Sequence, residues 1–433
     1  MPILYIDNFR GFEKTYLVLR DINFFVGENS TGKTSLLKLI GILASPNFWR
    51  YNQFGEDLKS LGQFSDIITS PIEDSKYFFQ IAILGEENLE SKDFSIIKLI
   101  FVEKDNSPSL KDIRLLNRNV EIHINIDVNI VKYRFQKKKY KLPNSSTSKF
   151  NFFKEWISTN KLINLPFTRK ALDIKGISPI LDQLTYLLIS SGEFGVEEKL
   201  KIPNFLENIA WTAPVRSQPE KTYDRTTLYF EASGKHSPYV LHKYLLDDKV
   251  SRDIIIKFGK DSGLYDNIII NELNDSSQKS NSFELQFKLD RRVLNITNVG
   301  YGISQVLPLV VEVVFRPAAS WFAIQQPEIH LHPRAQAAFG DFIFKSNQLD
   351  KHKFIIETHS DFIIDRCRIK ISKNKSPNSS SQESQAQVIF FSRSLKGNHL
   401  NCIRIQTDGS YEEDQPAEFR NFFIREQLEL LNI

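Results

Sequence analysis

A chain of 433 residues with 41% hydrophobic and 25% charged side chains has room for two or three domains and the composition of an ordinary globular protein. A net charge of +4 is only mildly basic, and two cysteines, Cys367 and Cys402, are too few for a disulfide or zinc framework. No apolar run approaches the roughly 18 residues of a membrane span, and "MPILYIDNFRGF" starts like a strand rather than a signal peptide. A cytoplasmic protein with no membrane partner is therefore expected.

Residues 1–75 are expected to form an N-terminal part, of which residues 1 to about 45 read strand, strand, loop, helix. Ile22, Phe24, Phe25 and Val26 make a short apolar strand. Gly27-Glu28-Asn29-Ser30-Thr31-Gly32-Lys33-Thr34 then matches G-x-x-x-x-G-K-[ST] without a gap. The glycines let the backbone curl until its N–H groups face phosphate oxygens. The predicted ATP contacts are Asn29, Ser30, Thr31, Gly32, Lys33, Thr34 and Ser35. Lys33 reaches the β- and γ-phosphates, and the Thr34 hydroxyl ligates Mg²⁺. Leu36, Leu37, Ile40 and Leu43 follow at helical spacing as one buried face, and the start of that helix turns its positive end to the same phosphates.

Residues 76–148 switch to a period of two and predict a β-rich inserted lobe. Val120, Ile122, Ile124, Ile126, Val128 and Ile130 alternate with polar residues, which predicts one half-buried antiparallel strand. Arg134, Lys137, Lys138, Lys139 and Lys141, interleaved with Phe135 and Tyr140, form the sharpest basic cluster. It reads either as a contact for nucleic-acid phosphates or as a solvated strand edge. Residues 149–290 predict a helical and mixed insertion, helical over 150–206 and 235–270, with a polar loop at Asn274–Ser282.

Residues 291–433 carry a second cluster about 300 residues after the first. "NVGYGISQ", Asn298 to Gln305, opens an apolar helix. The buried strand Trp321–Ile324 runs into Gln325-Gln326-Pro327-Glu328 and His330-Leu331-His332-Pro333. The strand Phe354–Ile356 runs into Glu357-Thr358-His359-Ser360-Asp361. Polar residues after buried parallel strands mark the ligand crevice of open α/β sheets. One sheet must then be assembled from both ends of the chain. Ser372–Gln387 is a low-complexity stretch expected to be mobile, and a strand pair and a helix close the chain.

These stretches, with "IDNFRGF", "LGQFSDIIT" and "TAPVRSQPEKTY", resemble the ABC-type ATPase heads of the OLD (overcoming lysogenization defect) and RecF/SMC-like class. Within that class they are similar to bacterial defence ATPases such as PtuA of Septu and AriA of PARIS. The resemblance implies an α/β, ABC-type P-loop ATPase head built from both ends of the chain, binding ATP and Mg²⁺. Gly300, Gly302, Ser304 and Gln305 would be the signature that meets ATP held by another subunit, His359 the switch histidine, and Gln63 a lid glutamine near Mg²⁺. "HLHP" belongs to the family pattern, against the reading of His330 and His332 as a metal pair.

Where relatives carry an acid at the end of the Walker B strand, this chain has Gln325 and Gln326. Glu328 is the carboxylate left in the motif, and it reads either as catalytic base or as a cap of the following helix. Gln325 is either natural, giving slow or partner-dependent hydrolysis, or an engineered trap that holds ATP.

The implied function is an oligomeric switch, a homodimer or larger with ATP at the interface, that senses phage infection. It would control a separately encoded effector such as a Toprim or HNH nuclease, or a reverse transcriptase. The roughly 70 residues after His359 leave no room for a Toprim nuclease in this chain. A RecF/SMC-like DNA-binding repair ATPase is the alternative.

Overall fold

The computed structural model describes residues 1–51, 61–69, 77–86, 93–127, 130–172, 176–203, 205, 209–214, 216–224, 230–245, 247–275, 278–374, 385–395 and 397–422. In chain order the elements begin with β1 (Ile3–Asp7), β2 (Thr15–Val18), β3 (Ile22–Gly27), α1 (Lys33–Ala44), α2 (Pro46–Tyr51) and α3 (Phe64–Ile67). A run of strands follows: β4 (Phe78–Glu86), β5 (Phe94–Lys104), β6 (Ser107–Asn117), β7 (Val120–Asp127) and β8 (Ile130–Lys137). Next come α4 (Ser146–Ser158), β9 (Thr168–Ala171), α5 (Ile177–Ser190), β10 (Ile209–Thr212), β11 (Tyr223–Asp224), α6 (Ser237–Tyr244) and α7 (Lys249–Ser262). β12 (Asn267–Asp275), β13 (Gln278–Leu289) and β14 (Arg292–Asn295) lead to α8 (Tyr301–Phe315) and β15 (Trp321–Gln325). α9 (Pro333–Asp350), β16 (Lys353–Glu357), α10 (Asp361–Lys373), β17 (Ala386–Ser394), β18 (Gly397–Ile405) and α11 (Ala417–Phe422) complete the series. Among the described residues, no helix is long and apolar enough to cross a membrane.

Two compact units emerge. The first holds Met1–Arg20, Glu28–Ile209 and Phe391–Leu400. Its main element is an eight-stranded antiparallel sheet in the order β2-β1-β4-β5-β6-β7-β8-β9. One face is covered by α4, whose Phe153, Trp156 and Ile157 pack on Ile3, Tyr5, Ala82, Leu84, Phe94, Ile96 and Leu116. α1 buries Leu36, Leu37, Ile40 and Leu43, the face its spacing predicts.

The alternating run at 120–130 is not one strand. β7 ends at Asp127, and Ile130, 43% exposed, opens the next strand of the hairpin; Val128 lies outside the described residues. Alternation alone cannot reveal such a break, because the hairpin partner continues the same period.

The second unit holds Asp21–Gly27, Ala210–Phe390 and Asn401–Ile433. Its six-stranded sheet has the order β10-β15-β16-β3-β17-β18, so strands from both ends of the sequence do share one sheet. β3, β16 and β15 are parallel neighbours. Ile22, Phe24, Phe322, Ile324, Phe354 and Ile356 face a core filled by α8, α9 and α10. A smaller sheet, β11-β13-β12 with β14 paired to β13, takes the place of two sequence expectations. The helical pattern assigned through residue 270 ends at Ser262, and β12 begins at Asn267. The polar stretch 274–282, expected as a loop, is mostly the two paired ends of β12 and β13. Long hairpin ends need only backbone pairing, so their side chains can be fully polar. The core of the low-complexity stretch, 375–384, lies outside the described residues.

One buried polar knot holds the first unit together. Glu121, 1% exposed on β7, pairs with Arg114 at 3.1 Å and accepts from Trp156 Nε1 at 2.9 Å. Arg114 lies 4.5 Å over the Trp156 ring and donates to Thr159 O at 2.7 Å. Glu121→Ala would leave a buried guanidinium uncompensated. The expected loss is about 3–5 kcal/mol of stability, measured as a lowered urea midpoint, with Glu121→Gln less damaging.

Candidate nucleotide site

The predicted phosphate loop passes through positive φ at three positions, two of them glycines. Gly32 has φ 93° and Ser30 φ 64°, and Gly27, at the end of β3, has φ 145°. Lys33 is 4% exposed, and its Nζ donates to Glu28 O at 2.6 Å. Thr31 Oγ1 donates to the same carbonyl at 2.7 Å, so the loop is curled around one oxygen. Leu36 N bonds Gly32 O at 2.9 Å and starts α1.

The structure also explains "NFRGF". A Cβ on Gly32 would lie 2.6 Å from the Phe12 ring and 2.8 Å from Asn398 Nδ2. Asn398 is tied to the same turn by its N–H to Gly11 O at 2.7 Å and its amide to Arg10 O at 2.9 Å. Backbone amides, one ammonium, and the Thr34 and Ser35 hydroxyls together form a donor set suited to a triphosphate with its Mg²⁺.

In the second unit, the ends of β15, β16 and β3 lie in register: Gln325 opposite Glu357, and Glu357 opposite Phe25. Gln325 and Glu357 are 4% and 2% exposed. Gln326 takes φ 43°, turning the chain away from the sheet, while its N–H still bonds Glu357 O at 2.8 Å. Glu328, beyond that turn, accepts from Thr358 Oγ1 at 2.8 Å and from the His359 N–H at 2.7 Å. It does not cap the following helix. His332 does, its Nδ1 accepting from Ala335 N at 3.3 Å. Glu328 thus braces the Gln326 turn to the segment carrying His359.

Sequence reasoning missed Arg216, which is 3% exposed. Its guanidinium donates to Gln325 O at 3.0 Å, to Pro214 O at 3.0 Å and to Gln326 O at 3.5 Å. Burial lowers it to about 10, with the negative charge of Glu328 acting in the other direction, so it remains a cation at neutral pH. The available signal was "APVRSQPE", an arginine in a motif to which the sequence alone assigns no role.

The other predicted residues are placed as follows. Gly300 and Tyr301 are exposed at the start of α8, while Ser304 and Gln305 are 6% and 8% exposed. Ser304 Oγ donates to Tyr301 O at 2.9 Å. A Cβ on Gly302 would lie 3.0 Å from His330 O, so the start of α8 packs closely on the His330 turn. His330, at φ 62°, has its ring centroid 5.8 Å from that of Tyr301. Among the described residues, no group of three or more His, Cys, Asp or Glu could hold a metal. Gln63 is exposed at the start of α3, its N–H bonded to Asp66 at 2.8 Å.

The basic cluster divides. Arg134 is 8% exposed and lies 4.2 Å over the Phe167 ring. It donates to Ile163 O at 2.7 Å and to His123 Nδ1 at 3.1 Å. It is a structural residue, and the nucleic-acid reading fails at that position because burial removes it from any phosphate. Phe135 packs edge-on against Phe194, and Tyr140 donates to Glu121 at 3.3 Å; both rings are half-buried. Lys137, Lys138 and Lys139 remain exposed and line a cleft with Arg118, Lys199 and Lys201.

A family model described as an AAA ATPase domain matches residues 3–364, which includes the phosphate loop and both strand-end motifs. The chain belongs to this family. Comparison with curated proteins returns no match. Among solved structures, similar chains include an SMC head bound to the C-winged helix domain of ScpA. It is 12% identical, with 93% of this chain and 97% of that one covered and a TM-score of 0.46. Another is the SMC head domain from Thermotoga maritima, at 10% identity, 93% and 98% coverage and a TM-score of 0.40. These likenesses are loose, and the family rests on the match over 3–364.

For this AAA ATPase domain, the Arg216 anchor is testable. Arg216→Met keeps most of the volume but removes the donors to Gln325, Gln326 and Pro214. The expected cost is about 2–3 kcal/mol in a denaturant titration, together with weaker nucleotide binding.

Proposed function

We propose that this chain is an ABC-type, ATP-binding switch that hydrolyses ATP slowly or only when a partner completes its site. In this reading it works as a homo-oligomer controlling a separately encoded toxic effector in defence against phage. The defence setting, the effector and the self-association come from the sequence resemblance. The observation that carries the switch is the Glu328 brace. A group that senses the γ-phosphate through His359 would move the backbone to which Glu328 is bonded at 2.7 Å, and with it the turn at Gln326. Lys33 and the loop amides would hold the phosphates, and Thr34 would hold Mg²⁺. Mg²⁺ supplies the charge that stabilises the leaving group. Glu328, with both oxygens already accepting hydrogen bonds, would orient water rather than act as an unencumbered base. The exposed Gly300–Tyr301 end of α8 would meet the nucleotide of another copy.

Lys33→Ala is expected to keep the circular dichroism spectrum but lose tight binding of labelled ATP. The parent, and not the variant, should gain mass in light scattering when ATP and Mg²⁺ are added. Equal ATP affinity in the two proteins would refute the assignment of the loop.

A second reading, a DNA-binding repair ATPase, is favoured by the lysine-lined cleft. Arg118 pairs with Asp93 at 3.4 Å and Lys137 with Glu198 at 2.9 Å, which leaves Lys138, Lys139, Lys199 and Lys201 with one further acid, Glu197, among the described residues of the lining. With lysines prominent in its lining, such a cleft would track phosphates rather than read bases. Under this reading, Lys138→Glu with Lys139→Glu lowers duplex affinity. It also flattens the salt dependence by about 0.9 in log–log slope for each phosphate no longer neutralised. Duplex affinity unchanged in the double variant would leave the defence reading alone.

A further inference from the structure

Resting on the ATP reading above, we propose that Asn398 is a positioning residue, which holds the phosphate loop in its ligand-ready shape before a nucleotide arrives. Asn398 lies near the other end of the sequence from that loop. Yet Asn398, Gly32 and the turn at 8–12 all belong to the first unit. Three close approaches meet there. A Cβ on Gly11 would lie 2.8 Å from Asn398 Nδ2, and one on Gly32 would also lie 2.8 Å from it. A Cβ on Gly397, the preceding residue, would lie 2.5 Å from Gly11 O. The three segments touch through glycine backbones, with the Asn398 amide set against two of them.

The turn that Asn398 grips does not hold its shape by itself. Asn8 and Arg10 take φ 58° and 44°, a region that side chains disfavour, and such a backbone persists only where its surroundings fix it. The fixing comes from two sides. On one side, the segment 61–69 offers Ile67 O to the Arg10 N–H at 2.8 Å and Leu61 O to the Arg10 guanidinium at 2.5 Å. Thr69 Oγ1 accepts from the Gly11 N–H at 2.9 Å. On the other side, Asn398 donates its amide to Arg10 O at 2.9 Å and its N–H to Gly11 O at 2.7 Å. Phe12, which ends the turn, is fully buried, and its ring comes within 2.6 Å of where a Gly32 Cβ would be.

Gly32 precedes Lys33 and, at φ 93°, is the bend from which α1 starts. Removing the Asn398 amide takes away one wall of the packing on Gly32 and one clamp of the turn together. The loop is then free to visit shapes that do not accept phosphates. Binding weakens by the fraction of time the loop is ready, so a loop ready in about one molecule in five binds about fivefold more weakly. The bound state itself is unaltered, because the loop's own donors, and not Asn398, would meet the phosphates.

The test compares the full chain with Asn398→Ala and Asn398→Asp, the second keeping the shape of the side chain but not its donor. Without nucleotide, hydrogen exchange read by mass spectrometry should rise about fivefold or more in peptides covering 8–12 and 28–35, and stay at the parent's rate in those covering β7 and β8. A fluorescent ATP analogue should bind about fivefold or more weakly to both variants, and a saturating concentration of it should restore parental exchange. Glu121→Gln, which disturbs the β7 knot and not the loop, is the control and should bind the analogue as the parent does. A smaller loss of affinity, exchange that rises throughout the unit, or an equal loss in Glu121→Gln would overturn the proposal. If either variant fails to fold, Asn398→Ser, whose hydroxyl stops short of the position of the amide nitrogen, is held to the same limits. A parent that binds no analogue would instead refute the ATP reading, and the exchange measurement alone then decides whether Asn398 holds the loop.

Discussion

The parallel register of β3, β16 and β15 is the constraint on which the site in the second unit depends. It places Phe25, Glu357 and Gln325 side by side, although the first is separated from the others by about 300 residues of chain. A one-residue slip in either pairing would turn Glu357 into the apolar core and Ile356 to the opposite face of the sheet. The core prevents that slip. Phe24, Ile324, Phe354 and Ile356 are all at most 1% exposed, and burying a charged Glu357 among them would cost far more than any gain in pairing.

Around that edge, backbone groups are held by side chains from loops. Arg216 satisfies carbonyls at the end of β15, and Glu328 satisfies a backbone N–H and a hydroxyl just past the end of β16. Each is a charged hydrogen bond to a strand end, where regular pairing has run out and an unmet polar group would be costly. The negative charge of Glu328 also works against the fall that burial imposes on Arg216. The segment that carries His359 is thus fastened to the turn after β15 by specific bonds.

The first unit shows how polar residues on strands can mislead. Arg134 looked like part of a basic surface, yet it is buried over Phe167 and bonded to Ile163 O and His123. Glu121 fell on the polar phase of an alternating strand, yet it is the centre of a buried knot with Arg114 and Trp156. In both cases a covering segment distant in sequence, 163–167 or α4, converts the polar side of a sheet into an interior. Period-two patterning reports which face is apolar, not whether the other face is also covered.

The sequence by itself determined the phosphate loop, the buried face of α1 and the assembly of one sheet from both ends of the chain. It could do so because each is written in local spacing: glycines where φ must be positive, leucines at helical intervals, and apolar runs followed by polar clusters. It also marked Gln325 and Gln326 as a departure from the pattern. Only the tertiary structure decided what surrounds them. Glu328 is a brace and not a helix cap, His332 is the cap, Arg216 is the anchor, and Glu357 is the carboxylate in register with Gln325. These roles depend on strand register and on which loop folds back onto which strand end. Those are set by the packing of a whole core, and no short window of sequence contains them.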